Sequence, residues 1–267
     1  MRIAFVGAGN MGEAILRAIL DKKVAKADDV VASDVSKERR SYLSRQYGVT
    51  VESDNRRAVE NAESVVLAVK PTTLPKVTAE LKGLLQPEQT VISIVAGASA
   101  ASISKALSHQ AVIRAMPNMP AQIGEGVTVW TAASGIKEKH RKRARSILSA
   151  MGIEVFMSDE KHIDMATAVS GSGPGYVFLI IESLIDASVH IGLPREVAQE
   201  LVLETISGAT HLIQKSGKHP AELRNMVASP GGTTVEGLLQ LEEGGLRALL
   251  AQAVIAGYEK AKALRQQ

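Results

Sequence analysis

The chain has 267 residues, a formal net charge of +3 and no cysteine. The absence of cysteine excludes disulfides, thiolate zinc sites, iron–sulfur clusters and cysteine nucleophiles. The length corresponds to one or two domains, and an aromatic content of only 3% argues against a base-stacking surface for single-stranded nucleic acid.

Short runs rich in β-branched residues alternate with helical patterns in the first part of the chain. Strands are predicted at residues 2–6, 30–33, 65–69, 91–95, 112–115, 127–131 and 153–156. Helices are predicted between them at residues 11–20, 37–46, 74–85, 102–107 and 137–151. This alternation predicts βαβ units and a mainly parallel sheet that helices cover on both faces.

Strand signals stop near residue 163, and the rest of the chain is predicted to be helical. These helices are predicted at residues 176–191, 195–215, 221–227, 235–242 and 246–264. The fold class is therefore an α/β domain followed by an all-helical domain, with the boundary placed at 1–160 and 161–267.

A glycine-rich motif, Gly7-Ala8-Gly9-Asn10-Met11-Gly12, directly follows the first predicted strand and opens a helix. In this context the spacing is typical of a dinucleotide-binding turn, since the first glycine permits the turn, the second admits a pyrophosphate and the third allows close packing. The amides of the helix N-terminus then face the phosphates. A plain glycine turn is the alternative interpretation.

An acidic residue, Asp34, follows Ser33 at the end of the second predicted strand. A carboxylate at this position accepts hydrogen bonds from the adenosine ribose, which favours NADH. Ser36, Lys37, Arg39 and Arg40 follow it and are compatible with a 2′-phosphate site, although a solvated helix face is the simpler interpretation of the basic residues. The sequence therefore predicts NADH or NADPH and leaves the choice between them open.

Further candidate residues lie where other predicted strands end, because ligands bind at that edge of an open α/β sheet. They form the turns Ala68-Val69-Lys70-Pro71 and Val95-Ala96-Gly97 and the proline-flanked loop around Asn118. The loop is compatible with a nicotinamide pocket and with a structural connector.

The helical part contains two glycine loops, at residues 170–176 and 229–234. The second one reads Ser229-Pro230-Gly231-Gly232-Thr233-Thr234 and precedes a helix, so that it presents backbone amides and two hydroxyls to a ligand. Such an arrangement suits a carboxylate, although simple capping turns would have the same sequence.

The motifs GAGNMG, AVKP, RAMPNMP, SGSGPGY and ASPGGTT, in this order, closely resemble those of the pyrroline-5-carboxylate reductases. The resemblance covers essentially the whole chain, and SPGGTT is its most specific element. It implies a Rossmann domain followed by a helical dimerisation domain that intertwines with a second subunit. It also implies reduction of Δ1-pyrroline-5-carboxylate to L-proline, the last step of proline biosynthesis, with NADH or NADPH.

The same resemblance assigns roles to individual residues. For the cofactor it implies residues 7–12, Ser33, Asp34, Asn55, residues 68–71 and residues 95–97. For the substrate it implies Glu160, Ser229, Gly231, Gly232, Thr233 and Thr234. Thr234 is the expected catalytic residue, with its hydroxyl bonded to the ring nitrogen.

Three positions depart from the family pattern. Met119 stands where threonine is frequent, Gly175 replaces an alanine, and Met226 lies in a stretch that is usually more polar. The departures put individual cofactor contacts in doubt and leave the main motifs in place.

Other classes of function receive less support. The histidines show no metal-ligand spacing and are predicted to lie on the surface or on helices, and the basic run 137–145 is predicted to be a solvated helix face. We therefore expect no metal, no nucleic acid and no membrane span, and a cytoplasmic location. A β-hydroxyacid dehydrogenase is the alternative enzyme, but those enzymes carry a catalytic lysine on the first long helix of the second domain, and none occurs at residues 176–191. A non-enzymatic dinucleotide sensor would not need the loop at 229–234.

The apolar helices of the second part predict a homodimer. Their stripes comprise Val197, Leu201, Leu203, Ile206, Leu249, Leu250, Val254 and Ile255. About 105 helical residues cannot easily bury all of these side chains alone, and the family resemblance extends the expectation to a possible decamer.

Overall fold

A computed structural model describes residues 1–133 and 135–266. The chain divides into two compact units. The first comprises residues 1–174 together with the C-terminal residues from 256 onward, and the second comprises residues 175–255.

An eight-stranded sheet forms the centre of the first unit. Its strands are β1 (Ile3–Val6), β2 (Val30–Ser33), β3 (Thr50–Glu52), β4 (Ser64–Leu67), β5 (Thr90–Ser93), β6 (Val112–Met116), β7 (Gly126–Ala132) and β8 (Gly152–Phe156). Their order is β3-β2-β1-β4-β5-β6-β7-β8, and all neighbours are parallel except β6 and β7. The order reverses at β1, which pairs with both β2 and β4, so the ligand crevice of such a sheet opens above the ends of these strands.

Helices cover the sheet in the first unit. They are α1 (Asn10–Asp21), α2 (Lys37–Tyr47), α3 (Asn55–Val59), α4 (Leu74–Leu81), α5 (Ala100–Leu107), α6 (Glu138–Leu148) and α7 (Lys161–Ala166). The buried apolar side chains form two clusters, one containing Phe5 and Ile15 and the other Val6 and Leu67. Because Phe5 and Val6 are consecutive in β1, their side chains point to opposite faces, and both faces of the sheet are buried as predicted.

Within the described residues, five more helices follow α7. They are α8 (Gly173–His190), α9 (Arg195–Ser216), α10 (Pro220–Val227), α11 (Thr233–Glu243) and α12 (Leu246–Gln266). The predicted fold class, an α/β dinucleotide-binding domain followed by helices, is confirmed.

The division between the compact units falls after Pro174, whereas we place the domain boundary at residue 160. Helix α7 belongs to the first unit because its Asp164 is buried against Arg114 of β6. The end of α12 also belongs to the first unit. The boundary between the cofactor-binding and helical domains at residue 160 therefore stays a prediction, and it differs from the boundary between the two compact units.

One helical stretch, Lys161–His190, is long and apolar enough to cross a membrane by length and composition, with a mean hydropathy of 1.3 in its most apolar window. Helices that pack against other protein surfaces pass the same test. The expected absence of a membrane span stays a prediction.

The basic run around α6 forms a helix with one buried face. His140, Ala144, Ile147 and Leu148 are buried along it. The other residues of the run are at least partly exposed, in agreement with the predicted solvated helix face. His140 lies on a helix, as predicted, and is buried there. His109 lies in the loop after α5 and is buried as well, so the predicted surface or helical position is wrong for this residue.

Candidate functional site

The first position of the glycine turn after β1, Gly7, has no room for a side chain. Gly7 has a φ of +83°, and a Cβ there would lie 2.6 Å from Val69 Cγ1 and 2.9 Å from the Ala68 carbonyl oxygen. Its amide donates to the Ser33 carbonyl at 3.0 Å. The turn is therefore closely packed between the ends of β2 and β4.

The second and third glycines have opposite surroundings. A Cβ at Gly9 would meet no atom within 4 Å, whereas a Cβ at Gly12 would lie 2.9 Å from the Gly7 carbonyl oxygen. Gly9 is the N-cap of α1 and has no side chain with which to bind the amides of Asn10, Met11 and Gly12. Open space in front of an uncapped helix N-terminus fits a bound pyrophosphate.

Asp34 is held beside this turn. Its Oδ2 accepts a hydrogen bond from the Ala8 amide at 3.1 Å, and its Oδ1 accepts one from the Ser36 amide at 2.9 Å. Asp34 is half-buried, so the carboxylate is both fixed in orientation and accessible from the crevice. The structure brings it next to the glycine turn, as the motif predicts.

Ser33 and Asn55 form a hydrogen-bonded chain behind the turn. The Ser33 hydroxyl lies 2.7 Å from Asn55 Oδ1 and 3.1 Å from the Phe5 carbonyl oxygen. Asn55 Nδ2 donates to Glu80 Oε2 at 2.7 Å. These bonds give Asn55 a structural role beside the cofactor contact that we predict for it.

The turns after β4 and β5 complete this edge of the sheet. The Ala68 amide donates to the Val6 carbonyl at 2.9 Å, and Lys70 and Pro71 are exposed beyond it. In the next turn Val95 is buried and Ala96 half-buried, while the site of a Cβ at Gly97 lies only 3.0 Å from the Leu264 carbonyl oxygen of α12.

A cluster of charges, which we call the Arg114 cluster, has two buried members, Arg114 and Asp164, and two partly exposed ones. It comprises Arg114, Glu160, Asp164 and Arg265. Arg114 donates to Glu160 Oε1 at 3.1 Å and to Asp164 Oδ1 at 2.9 Å. Arg265 Nε lies 3.1 Å from Asp164 Oδ2, near enough for an ion pair but not aligned for a hydrogen bond.

The Arg114 cluster also reaches the start of α5. Glu160 Oε1 accepts a hydrogen bond from the Ala100 amide at 2.8 Å, in the first turn of that helix. Glu160 is predicted from the sequence as a substrate residue, whereas Arg114, Asp164 and Arg265 are not. An arginine inside the apolar strand VIRAM was the available signal, because a buried guanidinium requires acidic partners.

The loop at residues 229–234 lies in the second unit and forms a tight turn ahead of α11. The Gly232 amide donates to the Ser229 carbonyl at 2.9 Å, and a Cβ at Gly232 would lie 2.6 Å from the Ser229 hydroxyl oxygen. Gly232 is the N-cap of α11, so no capping side chain covers the amides of Thr233 and Thr234. Thr233 is exposed and Thr234 half-buried. The loop presents the amides and hydroxyls that a carboxylate site requires.

The three departures from the family pattern are exposed. Met119 follows β6, Gly175 lies in the first turn of α8, and Met226 lies in α10, where Lys218 Nζ is 3.5 Å from its sulfur. Within residues 1–133 and 135–266, no group of three or more acidic or histidine side chains has a metal-binding arrangement.

Known proteins resemble the chain over its full length. A family of pyrroline-5-carboxylate reductase dimerisation domains matches residues 160–264, and a family of coenzyme F420-dependent NADP oxidoreductases matches residues 2–97. A pyrroline-5-carboxylate reductase from Synechocystis is 40% identical, covering 99% of this chain and 98% of that protein. A pyrroline-5-carboxylate reductase from Pseudomonas aeruginosa is 38% identical, and the match covers 100% of this chain and 97% of that protein.

A solved structure is similar as well. The structure of Plasmodium falciparum pyrroline carboxylate reductase with NADP bound has a TM-score of 0.91 at 32% identity, covering 99% of this chain and 98% of that one.

Proposed function

Since the chain belongs to the pyrroline-5-carboxylate reductase family, we propose that it reduces the C=N bond of Δ1-pyrroline-5-carboxylate to L-proline with NADH or NADPH. This is the last step of proline biosynthesis. The observation that carries the proposal is the presence in one chain of two uncapped helix N-termini with different surroundings. One follows the Rossmann glycine turn and the other follows the loop at 229–234.

The first unit binds the cofactor in this proposal. The amides at the start of α1 hold the pyrophosphate over Gly9, and Asp34 faces the adenosine ribose. The turns at 68–71 and 95–97 line the rest of the cofactor. When bound, the dihydronicotinamide supplies the hydride.

The second unit holds the substrate. The amides of Gly231, Thr233 and Thr234 bind the carboxylate, while the Gly232 amide is used within the turn by the Ser229 carbonyl. The Thr234 hydroxyl hydrogen-bonds the ring nitrogen and guides its protonation. Support comes from the uncapped start of α11 and from the half-buried position of Thr234. Ser229 shapes this turn through its contact with Gly232. Glu160 remains a predicted substrate residue, although both of its observed bonds end on Oε1.

The chemistry demands orientation more than strong acid catalysis. A protonated imine is electrophilic, so the reaction needs one hydride at the imine carbon and a nitrogen that keeps its proton. Holding the two reactants in line therefore supplies most of the rate enhancement. The β-hydroxyacid dehydrogenase alternative gains no support, because α8 contains no lysine.

The proposal is tested by following NADH or NADPH oxidation with Δ1-pyrroline-5-carboxylate as substrate. We expect turnover by the unmodified chain and a loss of about tenfold or more in kcat/KM for Thr234→Ala, since one bond to a charged group is removed. Thr234→Ser should restore most of the activity, and Thr210→Ala, on α9, serves as the matched control.

Two results would count against the assignment at different levels. No turnover with either cofactor would refute the proposed reaction. Unchanged kcat and KM in Thr234→Ala would refute only the role of that hydroxyl.

The active form is proposed to be a homodimer formed through the helical domain. Within the second unit alone, large apolar side chains remain exposed, including Leu179 at 63%, Leu249 at 59% and Ile255 at 60%. An exposed apolar surface of this kind marks an interaction site. Light scattering should give twice the chain mass or a multiple of it, and a stable monomer would contradict the proposal. The decamer and the cytoplasmic location stay predictions.

A further inference from the structure

The end of β2 is the place where a Rossmann site distinguishes NADH from NADPH, because the adenosine 2′ position lies there. The sequence leaves this choice open between the Asp34 carboxylate and the residues that follow it, Ser36, Lys37, Arg39 and Arg40. The side-chain contacts of these residues separate the two possibilities.

The Asp34 carboxylate is fixed toward the glycine turn. Its two oxygens accept hydrogen bonds from the amides of Ala8 and Ser36. A carboxylate held in this way keeps lone pairs for the ribose hydroxyls and cannot swing away from a phosphate. It therefore favours a ribose with two hydroxyls and repels a 2′-phosphate.

Arg39 already has an anionic partner. Its Nε donates to the Ala8 carbonyl at 2.5 Å, and its terminal nitrogen pairs with the Glu13 carboxylate. Both side chains of this pair are largely buried, at 23% and 20% exposure. The guanidinium therefore stabilises the glycine turn and has its charge compensated by Glu13.

Glu13 is stabilised as an anion by two tyrosines as well. Tyr47 donates to Glu13 Oε1 at 2.6 Å and Tyr42 donates to the same oxygen at 3.0 Å. Burial raises the pKa of Glu13, but the hydrogen bonds from Tyr47, Arg39 and Tyr42 outweigh it, and the pKa falls below its ordinary value. Glu13 is therefore ionised at neutral pH, and moving Arg39 toward a phosphate would leave it without its cation.

Arg40 is bound to the main chain beneath Asp34. Its terminal nitrogen donates to the Asp34 carbonyl at 2.6 Å and to the Val35 carbonyl at 3.1 Å. These bonds hold the backbone that positions the Asp34 carboxylate. Arg39 and Arg40 thus both stabilise the turn that carries the carboxylate.

We propose that this chain prefers NADH over NADPH, with Asp34 as the discriminating residue and Glu13 as the residue that withholds Arg39 from a 2′-phosphate. The inference rests on the proposed function, since the preferred nucleotide would be the hydride donor of the proposed reaction, but it is tested by nucleotide binding alone. It also departs from the Plasmodium falciparum relative, whose structure has NADP bound.

The test is calorimetric titration of the full chain with NAD⁺ and with NADP⁺, without substrate. We expect NAD⁺ to bind about tenfold more tightly or better, from repulsion between a carboxylate and a phosphate a few ångströms apart. Asp34→Asn should reduce this ratio about tenfold. Glu13→Gln, which keeps acceptors for both tyrosines, should raise NADP⁺ affinity and leave NAD⁺ affinity nearly unchanged.

Asp21→Asn is the matched control, because it removes a carboxylate from the far end of the same helix as Glu13. It should leave the ratio unchanged. Equal or tighter binding of NADP⁺ to the unmodified chain would overturn the proposal, as would an unchanged ratio in both Asp34→Asn and Glu13→Gln. Binding of NAD⁺ with the expected preference but without imine reduction would overturn the proposed function alone, and failure to bind either nucleotide would overturn both.

Discussion

The contrast between Gly9 and Gly12 yields the sharpest prediction about the first unit. An alanine methyl group at Gly9 enters open space, whereas one at Gly12 would lie 2.9 Å from the Gly7 carbonyl oxygen and 3.3 Å from Ala68 Cβ. Gly9→Ala should therefore impair nucleotide binding without unfolding the chain. Gly12→Ala should destabilise the fold itself.

The magnitudes follow from these surroundings. Gly9 has a φ of −66°, which alanine adopts readily, so the unfolding free energy should change by less than about 1 kcal/mol. If the methyl group displaces one charge-assisted phosphate bond, the cost in binding is about 1.5–3 kcal/mol, or roughly tenfold and upward in the dissociation constant. Overpacking at Gly12 should cost about 1–3 kcal/mol in stability.

Urea denaturation and calorimetric titration with NAD⁺ measure the two quantities separately. We expect Gly9→Ala to unfold at nearly the urea concentration of the unmodified chain and to bind NAD⁺ at least tenfold more weakly. Gly12→Ala should unfold at lower urea. If Gly9→Ala bound the nucleotide as tightly as the unmodified chain, the placement of the pyrophosphate over Gly9 would be wrong.

Two further predictions concern buried charges. Arg114→Met should lower the unfolding free energy by about 1–3 kcal/mol in urea denaturation, because Glu160 loses its cation and buried Asp164 keeps only Arg265; an unchanged unfolding free energy would contradict this. Burial, which is the largest cause, and nearby cations lower the pKa of His140 to about 4. Because the unfolded chain takes up a proton here at a higher pH than the folded chain, the unfolding free energy should be full above pH 6.5 and fall by up to about 3 kcal/mol as the pH drops toward 4. His140→Gln should flatten this pH dependence and the exposed His190→Gln should not, whereas an unchanged slope in His140→Gln would refute the assignment.

Much of the fold could be predicted because the sequence signals were local. Apolar runs identify β1, β2, β4, β5 and β6, and the glycine turn fixes the start of α1. The short strand β3 was missed, since its three residues are not fully buried and carry no continuous apolar pattern. The predicted helix at 74–85 ends earlier, at Leu81.

The candidate site was predictable where backbone geometry dictates the residue type. Gly7, Gly12 and Gly232 leave no room for a side chain, and this requirement is visible in the sequence. The Arg114 cluster was not predictable as a whole, because its members come from β6, α7, the residue before α7 and the end of α12. Only the tertiary structure shows that Arg265 lies beside Asp164.

The same limit applies to cofactor choice. Sequence spacing places Asp34 and the arginines of α2 together but cannot state which cation is already paired. The contact between Arg39 and Glu13 joins α2 to α1 across 26 residues, and it decides the interpretation.

Isotope transfer tests the central claim most directly. The chain is incubated with Δ1-pyrroline-5-carboxylate and reduced nicotinamide cofactor that carries deuterium at both C4 positions, and the product is examined by mass spectrometry and NMR. The account predicts L-proline with one deuterium at C5, the former imine carbon. Proline without deuterium at that carbon, or no proline at all, would contradict it.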